Sequence, residues 1–122
     1  MGEYCTNVRG LVLTLLEAIS ESLGLKPDHI AKSIGKHGQH MALNYYPPCP
    51  QPELTYGLPL HTDPNLLTIL LQDDVPGLQV LQNGNWVAVN PIPNTFIVNI
   101  GDQMQVIYLI YICIKLYGVC VS

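Results

Sequence analysis

Positive charge is scarce in this chain of 122 residues. Lys and Arg together number five against nine Asp and Glu, for a formal net charge of -4. Arg9, Lys26, Lys32, Lys36 and Lys115 are scattered along the sequence. No cluster among them could neutralise a run of phosphates, which argues against a nucleic-acid partner. Charge of either sign is limited to 11% of residues while 48% are hydrophobic, a core-forming balance and not that of a disordered chain. Close cysteine pairs are also missing. Cys5, Cys49, Cys113 and Cys120 never fall at C-x-x-C spacing, which removes the usual zinc sites and leaves free thiols of a reducing compartment as the expectation. Glu3 and a helix-like pattern at the N-terminus are unlike a signal peptide, so the expected location is cytoplasmic. One long apolar run exists, residues 106–121, interrupted only by Lys115. It is shorter than the roughly 20 residues needed to span a bilayer as a helix, so membrane attachment is not expected. As an uncharged, β-prone stretch it is an aggregation hazard.

What the sequence does contain is patterned. Val8, Leu11, Val12, Leu15, Leu16, Ile19 and Leu23 follow the i, i+3, i+4, i+7 rule of an amphipathic helix. Gly24 and Pro27 supply the stop, and a short second helix is expected over 27–33. Gly35 and Gly38 then bracket a loop. Residues 41–46 read as a strand, halted by Pro47, Pro48, Pro50 and Pro52. Further strands are expected over 66–71, 78–81, 86–89 and 95–100, with Asn83-Gly84 as a hairpin signal and 73–77 as a turn. Short strands at such intervals suggest a β-barrel or jelly roll.

The candidate chemistry centres on His61-Thr62-Asp63. Side chains at i and i+2 leave an extended strand from one face, so an imidazole and a carboxylate could meet one metal ion. Such a mixed nitrogen and oxygen set suits non-haem Fe(II). Spacing alone leaves this open beside a simpler reading, a strand-end histidine in an ordinary hydrogen bond. His37 and His40 read as loop or cap residues, His29 as exposed on the short helix, and Asp73, Asp74 and Asp102 as turn formers. If 41–46 is a strand, Asn44 and Tyr46 share a face. Their polar groups would then be met either by an anionic small molecule or by neighbouring backbone.

Asn44-Tyr-Tyr-Pro-Pro-Cys-Pro-Gln-Pro-Glu-Leu54, His61-Thr-Asp63, Pro76-Gly-Leu-Gln-Val80, Trp86 and Asn99-Ile-Gly-Asp102 together resemble the plant 2-oxoglutarate- and Fe(II)-dependent dioxygenases. Within them the flavanone 3-hydroxylase and salicylate-hydroxylase-like (downy mildew resistance) group is most similar. The resemblance runs from about Tyr4 to Ile107. It implies a mainly β fold, an incomplete double-stranded β-helix (jelly roll) preceded by an amphipathic helix. The implied organisation is a helical segment over 1–38, a partial dioxygenase domain over 39–107 and a divergent apolar tail over 108–122. It also implies that His61 and Asp63 are metal ligands and that Asn44 and Tyr46 contact 2-oxoglutarate, with Fe(II) as cofactor and ascorbate as reductant. In the family, 2-oxoglutarate is decarboxylated to succinate and CO2 as a small substrate is hydroxylated or desaturated, here a flavonoid or other phenolic molecule.

The resemblance also carries expectations that this sequence does not meet. No histidine follows His61, and Arg9 is the lone arginine, so the family's distal His ligand and Arg-x-Ser pair have no counterpart. The chain reads as a truncated member in which the closing strands are missing. Little turnover is expected from it alone. The competing expectation is a non-catalytic product or interaction module that self-associates through unclosed sheet edges.

Overall fold

The computed structural model describes residues 1–55, 57–111 and 119–121, with side chains described as far as residue 107. The chain divides into two compact units, 1–46 and 47–122.

In the first unit, helix α1 (Gly2–Ser22) is followed by α2 (His29–Ile34). The apolar stripe foreseen from Val8 is there, and the helix begins a turn and a half earlier. It ends as the sequence suggests. Gly24 adopts φ +72°, its N–H bonds to the Glu21 carbonyl at 2.9 Å, and the Leu25 N–H bonds to the Ser20 carbonyl at 3.0 Å. This left-handed stop satisfies carbonyls that the helix end would otherwise orphan. Leu16 and Ile30, each 1% exposed, form the core between the helices. Ser20 is fully buried with them, its hydroxyl donating to the Leu16 carbonyl at 2.8 Å and accepting from the Ile30 N–H at 3.4 Å.

Residues 41–46 form no strand. Every one of them is exposed, and the prolines at 47 and 48 hold Tyr46 extended while offering no ladder N–H of their own. β-prone side chains do not make a strand without a partner to take up the backbone bonds, so the expected shared face of Asn44 and Tyr46 is not formed either.

The second unit holds two antiparallel sheets. One has four strands in the order β1 (Leu58–His61), β6 (Val119–Val121), β3 (Leu78–Gln82), β4 (Asn85–Ala88). The other pairs β2 (Leu67–Leu70) with β5 (Ile97–Ile100), Leu67 opposite Ile100 and Leu70 opposite Ile97. The β3–β4 hairpin turns through Asn83 and Gly84 at φ +51° and +81°. Two successive positive φ values match the twist of the flanking strands, and Asn-Gly is the pair that tolerates them. A helix, α3 (Asp102–Tyr111), follows β5 directly. Leu78 of β3 and Met104 of α3, 3% and 0% exposed, are buried apolar residues of this unit.

Two expectations for the C-terminal region are corrected. Helix α3 takes the segment from Asp102 to Tyr111, where the sequence suggested a turn at Asp102 followed by an unpatterned run. Strand β6 is inserted between β1 and β3, so the tail contributes a closing strand to the larger sheet. The central part of the expected tail, 112–118, lies outside the described residues. No described helix is long and apolar enough to cross a membrane.

Candidate metal-binding turn

Strand β1 delivers His61 at its last position, and Asp63 follows where the chain leaves the sheet. His61 Nδ1 lies 2.8 Å from the Pro59 carbonyl oxygen. A carbonyl can only accept, so Nδ1 is the donor, and in the neutral ring the lone pair is on Nε2, the arrangement usual for an imidazole that ligates a metal. Nε2 stands 3.7 Å from Asp63 Oδ1, too long for a hydrogen bond. Two donors each about 2.1 Å from one ion are separated by roughly 3 Å at a right angle, so a side-chain shift of under an ångström would let both reach a common ion. The carboxylate has a second peculiarity. Asp63 Oδ2 is buried and has no hydrogen-bond partner among the described residues. A buried, unpartnered carboxylate oxygen is costly unless a cation meets it. The chemistry of this donor pair therefore fits a divalent cation.

The turn is held from a distance. The Asp102 N–H donates to the Asp63 carbonyl at 2.7 Å, the Gly101 N–H to Leu66 at 2.9 Å and the Gln103 N–H to Asn65 at 3.2 Å. Thr62 Oγ1 donates to Asp102 Oδ2 at 2.9 Å. Gly101 is buried against this turn. A Cβ there would fall inside the van der Waals shell of the Asn65 carbonyl oxygen and 2.6 Å from its Oδ1. The sequence pattern assigns no role to Thr62, Asn65 or Gly101 and makes Asp102 a turn former. The available signal was Asn99-Ile-Gly-Asp102 itself, a glycine followed by a carboxylate at the end of a strand.

Asn44 and Tyr46 are exposed, in the first unit, and have no hydrogen-bond partner among the described residues. His37 bonds through Nδ1 to the Gly35 carbonyl oxygen at 2.9 Å, His40 is in an exposed loop and His29 opens α2. Among the described residues no group of three or more His, Cys, Asp or Glu is placed to hold a metal ion, so His61 and Asp63 stand as a pair. Cys49 lies in the proline-rich stretch, and its hydrogen bond with Thr55 Oγ1 at 3.4 Å draws the thiol below its usual range.

A family model described as the 2OG-Fe(II) oxygenase superfamily matches residues 37–114. The chain belongs to that superfamily. Members named for this chemistry depend on Fe(II) and 2-oxoglutarate, and the solved structure of JOX2 holds both. The chain is 75% identical over 105 residues to DMR6-like oxygenase 2 of Arabidopsis thaliana, covering 86% of this chain and 30% of that protein. It is 63% identical over 106 residues to flavanone 3-dioxygenase 2 of Oryza sativa subsp. japonica, covering 86% of this chain and 31% of that one. The chain thus spans about 30% of the length of the curated relatives it matches. Among solved structures, JOX2 in complex with 2OG, Fe and JA superposes with a TM-score of 0.84 at 39% identity, over 98% of this chain and 36% of that one. The 2-oxoglutarate complex of the auxin dioxygenase AtDAO1 from Arabidopsis thaliana gives 0.76 at 26% identity, over 98% and 44%.

Proposed function

We propose that this chain carries part of the iron site of a 2-oxoglutarate-dependent dioxygenase, with His61 and Asp63 as two of the protein ligands to Fe(II). The observation that carries this reading is the Asp63 carboxylate, one oxygen buried without a partner and the other 3.7 Å from a free imidazole nitrogen. Asn44 and Tyr46 would bind 2-oxoglutarate, a carboxamide and a phenol being suited to carboxylate oxygens. The fold reading that goes with it is an incomplete double-stranded β-helix preceded by the amphipathic helix α1. The substrate class is a small phenolic molecule such as a flavonoid, supported by the likeness to flavanone 3-dioxygenase 2. When bound, Fe(II) would supply the oxidative chemistry. The chain's own residues orient the imidazole through Pro59, keep Asp63 Oδ2 out of water and offer the carboxylate to the ion.

Turnover by this chain alone is expected to be slight. Two protein ligands hold iron more weakly than three, and no arginine follows Arg9 to pair with the far carboxylate of the co-substrate. Co(II) titration under reducing conditions tests the site. Binding that is lost in both His61→Ala and Asp63→Ala supports it, and binding unchanged by either substitution removes it. Succinate release above the His61→Ala background would overturn the expectation of slight turnover.

A second reading, self-association, rests on a different observation. Trp86 and Val87 on β4 are 46% and 44% exposed, and Val98 on β5 is 40% exposed. Strands with such faces can pair with another chain. A concentration-independent monomer in sedimentation velocity would exclude it.

A further inference from the structure

Thr62 sits between the two proposed ligands, and in extended chain its side chain points opposite to theirs. It is also the residue of that trio whose side chain is tied down from afar, through its hydroxyl to Asp102 Oδ2, 40 positions along the chain. Three successive backbone N–H groups, from Gly101, Asp102 and Gln103, bond to the carbonyls of Leu66, Asp63 and Asn65. We propose that the Gly101-Asp102 corner is a positioning device for the metal pair, with the Thr62–Asp102 hydrogen bond fixing the rotation of the turn so that His61 and Asp63 face one ion together. This rests on the reading of His61 and Asp63 as metal ligands.

The argument is geometric. The Asp102 N–H bond fixes the Asp63 backbone, and the Asp102 carboxylate fixes the residue before it. One residue thus restrains the turn at two adjacent points, through main chain and side chain. Without the side-chain tether, Thr62 is an exposed residue free to rotate, and rotation about it separates the two donors. Gly101 permits the close approach, because any side chain there would push Asn65 and the turn away. Asp102 does not reach the ion in this account. It acts through Thr62 and the Asp63 main chain.

Four variants of the full chain test this, each followed by Co(II) calorimetry, the visible spectrum of bound Co(II), amide hydrogen exchange of the apo chain and thermal melting. Thr62→Val and Asp102→Ala are expected to weaken Co(II) binding roughly tenfold, as is usual when a group that orients a ligand is lost. They should also speed exchange at the 101–103 amides, whose N–H groups hold the turn, with no more than the small fall in melting midpoint that loss of one exposed hydrogen bond brings. Thr62→Ser and Asp102→Asn keep a hydroxyl donor and an oxygen acceptor and should retain wild-type affinity. Wild-type affinity in Thr62→Val and Asp102→Ala would overturn the proposal. So would Asp102→Asn binding as weakly as Asp102→Ala, since the negative charge and not the hydrogen bond would then be at work. Unchanged apo-state exchange in the two disruptive variants overturns it irrespective of metal. If the wild-type chain shows no His61-dependent Co(II) binding, the metal reading itself fails, an outcome distinct from binding that is indifferent to the corner.

Discussion

The turn that follows β1 and the stretch from Leu43 to Gln51 look alike as sequence, each a run of polar and proline residues bearing a family motif. In the structure they differ sharply. Residues 62–66 receive bonds from residues 101–103, and Gly101 is buried against them. Residues 43–51 are exposed throughout, and Asn44 and Tyr46 meet no partner among the described residues. The first segment carries its own geometry, supplied by contacts distant in sequence. The second has no such contacts among the described residues. A held His61–Asp63 pair and an unheld Asn44–Tyr46 segment therefore coexist in one chain, and variants should separate them.

The largest effect is expected where the held turn is most crowded. Gly101→Ala places a methyl group against the Asn65 carbonyl oxygen, and overpacking of this kind costs about 1–3 kcal/mol. Urea denaturation should show the loss as a lower midpoint at unchanged slope. Combining it with Asn65→Ala should not restore stability, because the nearest obstacle is backbone that every residue retains. Full rescue by the double variant would mean that the Asn65 side chain, and not the close approach of the chain, is the constraint. Asn65→Ala alone should cost less, about 0.5–1.5 kcal/mol, for the lost Nδ2 bond to Thr68 Oγ1 at 3.1 Å.

These contacts explain what was legible in advance. Helix α1 was readable because its apolar residues recur at the helical period, and its end because Gly24 can take a positive φ. The hairpin was readable from Asn83-Gly84 for the same local reason. The nearness of His61 and Asp63 follows from a two-residue spacing, again local. The misreadings concern long-range relations. Residues 41–46 have β-prone composition but no partner strand among the described residues. The tail was read by its lack of alternation, yet Val119–Val121 finds places beside β1 and β3. Asp102 looked like turn chemistry because nothing near it in sequence reveals a hydrogen bond to Thr62.

For the unheld stretch the expectation is indifference. Asn44→Ala and Tyr46→Phe should each change stability by no more than about 0.5 kcal/mol, since exposed groups without partners have little to lose. Under the proposed function the same substitutions should weaken 2-oxoglutarate binding to the metal-loaded chain. A clear drop in denaturation midpoint would show that these side chains are structural, and the contrast with the turn would fail.

The smallest effect concerns a polar side-chain contact that the proline-rich stretch does make. Thr55 Oγ1 meets the Cys49 sulfur and itself donates to the Gln51 carbonyl at 3.3 Å. The contact with Thr55 lowers the Cys49 pKa, with a contribution from the Gln51 backbone. For a thiol, a lowered pKa means that the thiolate, the reactive form, appears at lower pH than in the unfolded chain. Iodoacetamide modification of Cys49, followed peptide by peptide, should therefore rise with pH earlier in the folded chain than in urea. Thr55→Val should move the rise back toward the unfolded curve, and the shift should be modest because the thiol is exposed. Coincident folded and unfolded curves would show that even this contact does not persist in solution, making 43–51 unheld along its whole length.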